Sequence, residues 1–220
     1  LNELERACVG RITIQQQAAA ASKYVTPILE HGRDERGVWY ATKFYPRSVN
    51  KIISGRVELS RDALEHLTRS MALGALDIKR ACGRSHGDIV PSNIQISRAE
   101  KMAEAEVVLS DPLPGDATEA ARYELSDLHS IGRILLQLVL RREIDSEDTA
   151  ALILPVLASP EWTKLFGKDA DRWLALCNRL LDPKLSLEQL TLEQLVQALD
   201  QLRYTPPVSR RGILVGAAAL

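Results

Sequence analysis

Apolar positions recur along most of this chain with a helical period. After Ser60, the residues Leu64, Leu67, Met71, Ala75 and Ile78 fall three or four apart, which lines them along one face of a helix running to about Cys82. Leu128, Ile131, Leu135 and Leu138 repeat the pattern in a second long helix that Ser126 is placed to cap. Further helices are expected near 145–157, 169–181 and 189–203, and an initial one over residues 1–21, where Ala18 to Ala21 are strong helix formers. Two stretches break the rhythm. Tyr24–Glu30 and Gly37–Thr42 are short and rich in β-branched and aromatic residues, and the polar segment His31–Arg36 joins them into a predicted hairpin that Pro46 ends. Asn93–Ile96 and Val107–Leu109 predict two more short strands. The order is a helix, a small antiparallel piece and a mostly helical body, which places the chain in the α+β class.

The bulk numbers narrow the function classes. A length of 220 residues suits one domain or two small ones, and 45% apolar residues suffice for a sizeable core. The net charge of −1 offers no basic excess, so nucleic acid is not an expected partner. Cys8, Cys82 and Cys177 are scattered and odd in number, which suits a reducing compartment rather than a disulfide framework. The four histidines lack metal-ligand spacing. His31, His66 and His129 read as solvated or capping residues, and Trp39, Trp162 and Trp173 as packing residues. Near the end, Pro206-Pro207 separates the last helix from Arg210-Arg211 and the small-apolar run Gly212–Leu220. That run is shorter than the roughly 20 residues of a spanning helix. Residues 206–220 are therefore expected to be a juxtamembrane segment and the start of a membrane helix, with the arginines on the cytoplasmic side.

The chemistry concentrates in His86-Gly87-Asp88-Ile89-Val90-Pro91-Ser92-Asn93 and in Leu109-Ser110-Asp111. Taken singly, Asp88 and Asn93 are ordinary turn residues. Together with Asp111, and with Ser126-Asp127-Leu128-His129-Ser130-Ile131-Gly132 in register, they resemble the catalytic loop, the metal-binding loop and the central large-lobe helix of the protein kinase superfamily, particularly its bacterial Ser/Thr members. The resemblance implies a kinase-like fold over nearly all of residues 20–203. Residues 1–45 would be a partial small lobe, Lys43-Phe44-Tyr45-Pro46 a hinge, and 46–205 a mainly helical large lobe. It implies Asp88 as the catalytic carboxylate, Asn93 and Asp111 as ligands of Mg2+ and the ATP phosphates, and Asp127 as a brace on the catalytic-loop backbone. The glycine-rich loop and strand lysine of such a fold would lie upstream of Leu1.

Several positions depart from the family pattern. Val90 stands where Ser/Thr kinases carry a lysine that meets the transferring phosphoryl group. One unit charge at 4 Å is worth about 4 kcal/mol at an effective dielectric near 20, enough to slow transfer by orders of magnitude. Gly87 replaces the arginine that reads a phosphorylated activation loop. Pro112 and Leu113 follow Asp111 where Phe and Gly are usual, and the segment from Asp111 to Ser126 is too short for a full activation loop. Leu181-Asp182-Pro183-Lys184 lacks the arginine that follows such a turn in the family. The first helix has no acid near Thr13, Ile14 and Gln15 to Gln17, and Glu3 and Glu5 come too early.

These residues imply a degenerate kinase: a regulatory or scaffold module with weak or no catalysis that still binds ATP, held at the inner (plasma) membrane by a single helix beyond residue 211 and acting on a protein partner. The alternative is an active, membrane-anchored Ser/Thr kinase that transfers phosphate from ATP to protein hydroxyls. A small-molecule phosphotransferase, which shares the H-G-D-x-x-x-x-N pattern, ranks third.

Overall fold

A long helix organises the chain. In the computed structural model, which describes residues 2–144 and 158–203, the Ser60 hydroxyl accepts from Ala63 N at 3.2 Å and starts a helix over Arg61–Cys82. In chain order the elements are α1 (Glu3–Ala19), the strands β1 (Ile28–Asp34), β2 (Gly37–Thr42) and β3 (Arg47–Ser48), α2 (Val49–Ser54), α3 (Arg61–Cys82), β4 (Ile94–Ile96), β5 (Val107–Leu109), α4 (Ala120–Leu140), α5 (Pro160–Phe166), α6 (Ala170–Leu181) and α7 (Leu192–Arg203). The predicted stripe Leu64, Leu67, Met71, Ala75 and Ile78 is buried, and α3 touches α1, α4, α7 and β5. The chain is a mixed α+β structure with small antiparallel sheets.

α1 opens with a capping box, in which Asn2 Oδ1 accepts from Glu5 N at 2.8 Å and Glu5 Oε2 from Asn2 N at 2.9 Å. It packs between the β1–β2 hairpin and α3. The second sheet runs β3-β4-β5 and lies over α3. On α5 and α6, Trp162, Phe166 and Trp173 stack in a buried row, with centroids 5.8 and 4.6 Å apart. α4 and α6 approach closely at Gly132, where an added Cβ would sit 2.6 Å from Leu180 Cβ.

Three predicted boundaries are corrected. α4 starts at Ala120, well before Ser126, because a 3-10 turn over Ala117–Glu119, capped by Asp116 accepting from Thr118 N at 2.8 Å, leads straight into it. Ser126 thus lies within the helix. Strand β1 includes His31 to Asp34, so the turn shrinks to Glu35-Arg36, where Asp34 Oδ1 accepts from Arg36 N at 2.7 Å. Polar side chains are tolerated there because β1 is largely exposed. Tyr24–Thr26 leaves the hairpin and pairs with β5 instead: Thr26 N donates to Leu109 O and Leu109 N to Tyr24 O, each at 2.9 Å. β2 has the predicted bounds, Gly37–Thr42. β3, α2 and α5 were not legible as separate elements. His66 and His129 do not stand free in solvent: each ring meets a distant carbonyl, Ala105 O at 2.7 Å and Leu180 O at 2.8 Å.

The helix expected near 145–157 and the segment 206–220 lie outside the described residues. No helix among the described residues is long and apolar enough to cross a membrane.

The Gly132 contact yields a prediction. Gly132→Ala should push α4 from α6 and lower stability by about 1–3 kcal/mol, read as a lower urea midpoint. An unchanged midpoint would show that the two helices have room to part.

Candidate functional site

The residues singled out by motif meet at one end of the β4–β5 ladder. Ile94 pairs with Leu109, so Asn93 leaves one strand beside Ser110, the residue before Asp111. Ser110 N donates to Asn93 O at 2.9 Å and closes that end. Asn93 Nδ2 reaches back to Asp88, donating to its backbone O at 3.1 Å and lying 3.4 Å from its Oδ2. Asp88 and Asn93 are therefore in direct contact across the turn.

His86 ties this turn to the Asp111 loop. It is fully buried, and burial drives its pKa down to about 4, so the ring is neutral. Its hydrogen bonds fix the tautomer: Nε2–H donates to Ser110 O at 2.8 Å, and Nδ1 accepts from Asp88 N at 3.2 Å. Asp127 braces the same turn from α4, its Oδ1 accepting from Gly87 N at 2.8 Å. Gly87 has φ +81, and an added Cβ would sit 2.6 Å from the Tyr123 ring, so glycine is required on two counts.

Arg84 completes the scaffold and was not foreseen. It is 1% exposed, donates from Nε to Ser85 O at 3.0 Å and from Nη2 to His86 O at 2.9 Å, and bonds Leu113 O through Nη1. Its guanidinium lies 4.0 Å from the centroid of the Tyr123 ring. Burial lowers its pKa, yet a guanidinium stays charged in a protein. Leu113 N donates to His86 O at 2.9 Å, so the short segment after Asp111 folds back onto the His86–Asp88 turn.

Asp111 faces the other way, toward α1 and the hairpin. Its backbone has φ +60, in the left-handed region. Gln15, fully buried on α1, holds it there: Gln15 Oε1 accepts from Asp111 N at 2.9 Å while its Nε2 donates to Thr26 O at 2.9 Å. The Tyr40 hydroxyl on β2 donates to Asp111 Oδ1, and Arg11 Nη1 lies 3.7 Å from the same oxygen. Burial, reinforced by that carboxylate, raises the Tyr40 pKa to about 12, so it remains a donor. The motifs carried no hint of Arg11 or Tyr40, and marked Gln15 only as a position where an acid is missing. The one usable signal was helical spacing, since Arg11 and Gln15 are one turn apart and so share a face.

Between the hairpin and the sheet lies an open cleft of about 300 Å³, lined by Tyr40, Thr42, Lys43, Phe44, Tyr45, Gln95, Ser110 and Asp111. The linker on its rim is pinned by Glu106, which takes Lys43 Nζ at 2.5 Å and the Tyr45 hydroxyl at 3.1 Å. Among the described residues, no group of three or more His, Cys, Asp or Glu side chains could hold a metal ion. Another cavity, of about 390 Å³ between α3 and α7, contains none of the predicted site residues, and several of its charges are engaged by neighbours outside it, as in Arg69 with Asp200 at 2.7 Å.

Asp127 and His86 pull stability in opposite directions with pH. Burial raises Asp127 to about 7, against the Ser85 hydroxyl and the Gly87 amide that lower it. From about pH 4 to 7 the folded chain keeps a proton that the unfolded chain has lost, so this term weakens the fold as pH rises. His86 does the reverse, since on acidification below about 6.5 the unfolded chain takes up a proton that the buried ring refuses. Asp127→Asn removes the first term and leaves the second. As pH falls from 6.5 to 4, the parent should therefore gain on the variant by about 3 kcal/mol, measured by urea unfolding across that range. Parallel profiles would show that Asp127 is ionised throughout.

No model of a known protein family matches this chain, and neither does any curated protein.

Proposed function

We propose that the chain is a protein-kinase-like regulatory or scaffold module of weak or lost catalytic power that binds a nucleotide in the 300 Å³ cleft and acts through a protein partner. The observation that carries the reading is the braced turn: Asp127 on Gly87 N at 2.8 Å, with His86 joining Ser110 O to Asp88 N. This linkage brings the backbone of the Asp88–Asn93 turn beside that of Ser110-Asp111, which supports reading the three residues as the base and the phosphate-side ligands of a phosphoryl-transfer fold, although the Asp111 side chain turns toward α1 and the hairpin. Under this reading α1 is the helix of a partial small lobe, the hairpin its last strands and Lys43–Pro46 the hinge. Residues 46–205 would form the large lobe, and Arg210 and Arg211, before the apolar run Gly212–Leu220, would keep the module on the cytoplasmic face of the inner membrane.

Three features argue against efficient transfer. Val90 offers no charge to the transferring group. The Tyr123 ring and Arg84 occupy the ground beside Gly87, so the turn is held without a phosphorylated loop. The Asp111 carboxylate is already engaged by Tyr40 and Arg11. The Asp88–Asn93 contact favours the alternative of an active Ser/Thr kinase, because it holds a carboxylate ready to orient an acceptor hydroxyl.

Phosphoryl transfer by the full-length protein decides between them. With ATP, magnesium and a generic protein acceptor, the parent should bind a fluorescent ATP analogue yet transfer phosphate no faster than Asp88→Asn. Turnover at least a hundredfold above that variant would establish the active kinase instead.

A further inference from the structure

A divalent ion at this cleft would need the Asp111 carboxylate as a ligand, and the surroundings of that carboxylate do not suit one. Magnesium requires oxygen donors in near-octahedral array and usually takes one or two carboxylates with several waters. Here a single carboxylate oxygen, Oδ1, both accepts from the Tyr40 hydroxyl and faces Arg11 Nη1 at 3.7 Å. A metal taking Oδ1 would have to displace the phenol, and one on either oxygen of the carboxylate would approach a fixed positive charge.

The placement of Arg11 follows from the fold. Gln15 anchors α1 to the Asp111 backbone through the bond from Asp111 N at 2.9 Å. Arg11 stands one helical turn earlier on the same face, so the anchor that orients the loop also delivers the guanidinium to its side chain. Both side chains remain about a third exposed, at 33% and 32%; Asp111 lines the cleft, and Arg11 lies behind it as the partner of its carboxylate. At 3.7 Å the contact is an ion pair without a formed hydrogen bond, which leaves guanidinium donors for an oxygen of an incoming phosphate.

We infer that Arg11 is the resident counter-cation of Asp111: it neutralises that carboxylate in place of a divalent metal, and a phosphate-bearing ligand enters the cleft without magnesium. The ligand's identity as a nucleotide rests on the kinase-like reading; the exclusion of metal by Arg11 does not.

The test is a manganese titration of the full-length protein without nucleotide, followed by water-proton relaxation, in the parent, Arg11→Gln, Arg11→Lys and Arg11→Gln/Asp111→Asn. Arg11→Gln should bind manganese at least tenfold more tightly than the parent. Arg11→Lys, which keeps the charge, should behave as the parent, and Asp111→Asn should abolish the gain. A parent that already binds manganese through Asp111 as tightly as Arg11→Gln overturns the inference, as does an Arg11→Gln protein with no gain.

A second measurement needs no variant. The parent should bind a fluorescent ATP analogue equally, within about twofold, in EDTA and in millimolar magnesium. Binding tightened tenfold or more by magnesium overturns the inference. Absence of binding in both defeats the nucleotide in the proposed function, and the manganese comparison still decides the role of Arg11.

Discussion

The bond from the Gly87 amide to the buried Asp127 side chain is the constraint on which the turn from His86 to Asn93 depends. A buried carboxylate is unfavourable unless hydrogen-bonded, and this one is placed under a turn whose backbone is already bent to positive φ at Gly87. With Gly87 held, Asp88 N meets His86 Nδ1, His86 Nε2 meets Ser110 O, and Asn93 reaches back to Asp88. Each bond presupposes the one before it. The turn, the β4–β5 end and α4 are thus joined by one buried polar network, in which Asp127 Oδ2 is left without a partner.

Arg84 contributes a second kind of constraint. A guanidinium buried among the carbonyls of Ser85, His86 and Leu113 spends its charge on backbone dipoles and on the face of Tyr123. The consequence is rigidity: the segment after Asp111 is tied to the turn before Asp88 by main-chain and side-chain bonds together. A loop held in this way needs no added phosphate to order it. The same logic operates at Asp111, where a left-handed residue costs of order 1–3 kcal/mol and persists because Gln15, Tyr40 and Arg11 converge on it.

Much of the fold was legible because burial imposes a period. The stripe from Leu64 to Ile78 could only be a helix face, and α3 carries it almost to the residue. The apolar run Val107–Leu109 became a strand buried on both faces. Legibility failed where local and tertiary signals competed. Ser126 looked like a cap because serine favours helix starts, but Asp116 nucleates the helix earlier and Asp127 turns inward to its Gly87 bond. Tyr24–Thr26 looked like half of a hairpin by composition, yet its backbone pairs with Leu109, a partner far away in sequence.

The sequence by itself determined the α+β order of elements and the apolar faces of the long helices, because periodicity is a local property, and a family resemblance in its motifs grouped Asp88, Asn93, Asp111 and Asp127 as candidates. Only the tertiary structure decided what surrounds each carboxylate. That Gly87 must be glycine follows from where Tyr123 lands, and that Asp111 meets Arg11 and Tyr40 follows from how α1 and the hairpin dock. Such contacts join residues up to 100 positions apart, and no pattern along the chain encodes a distance across it.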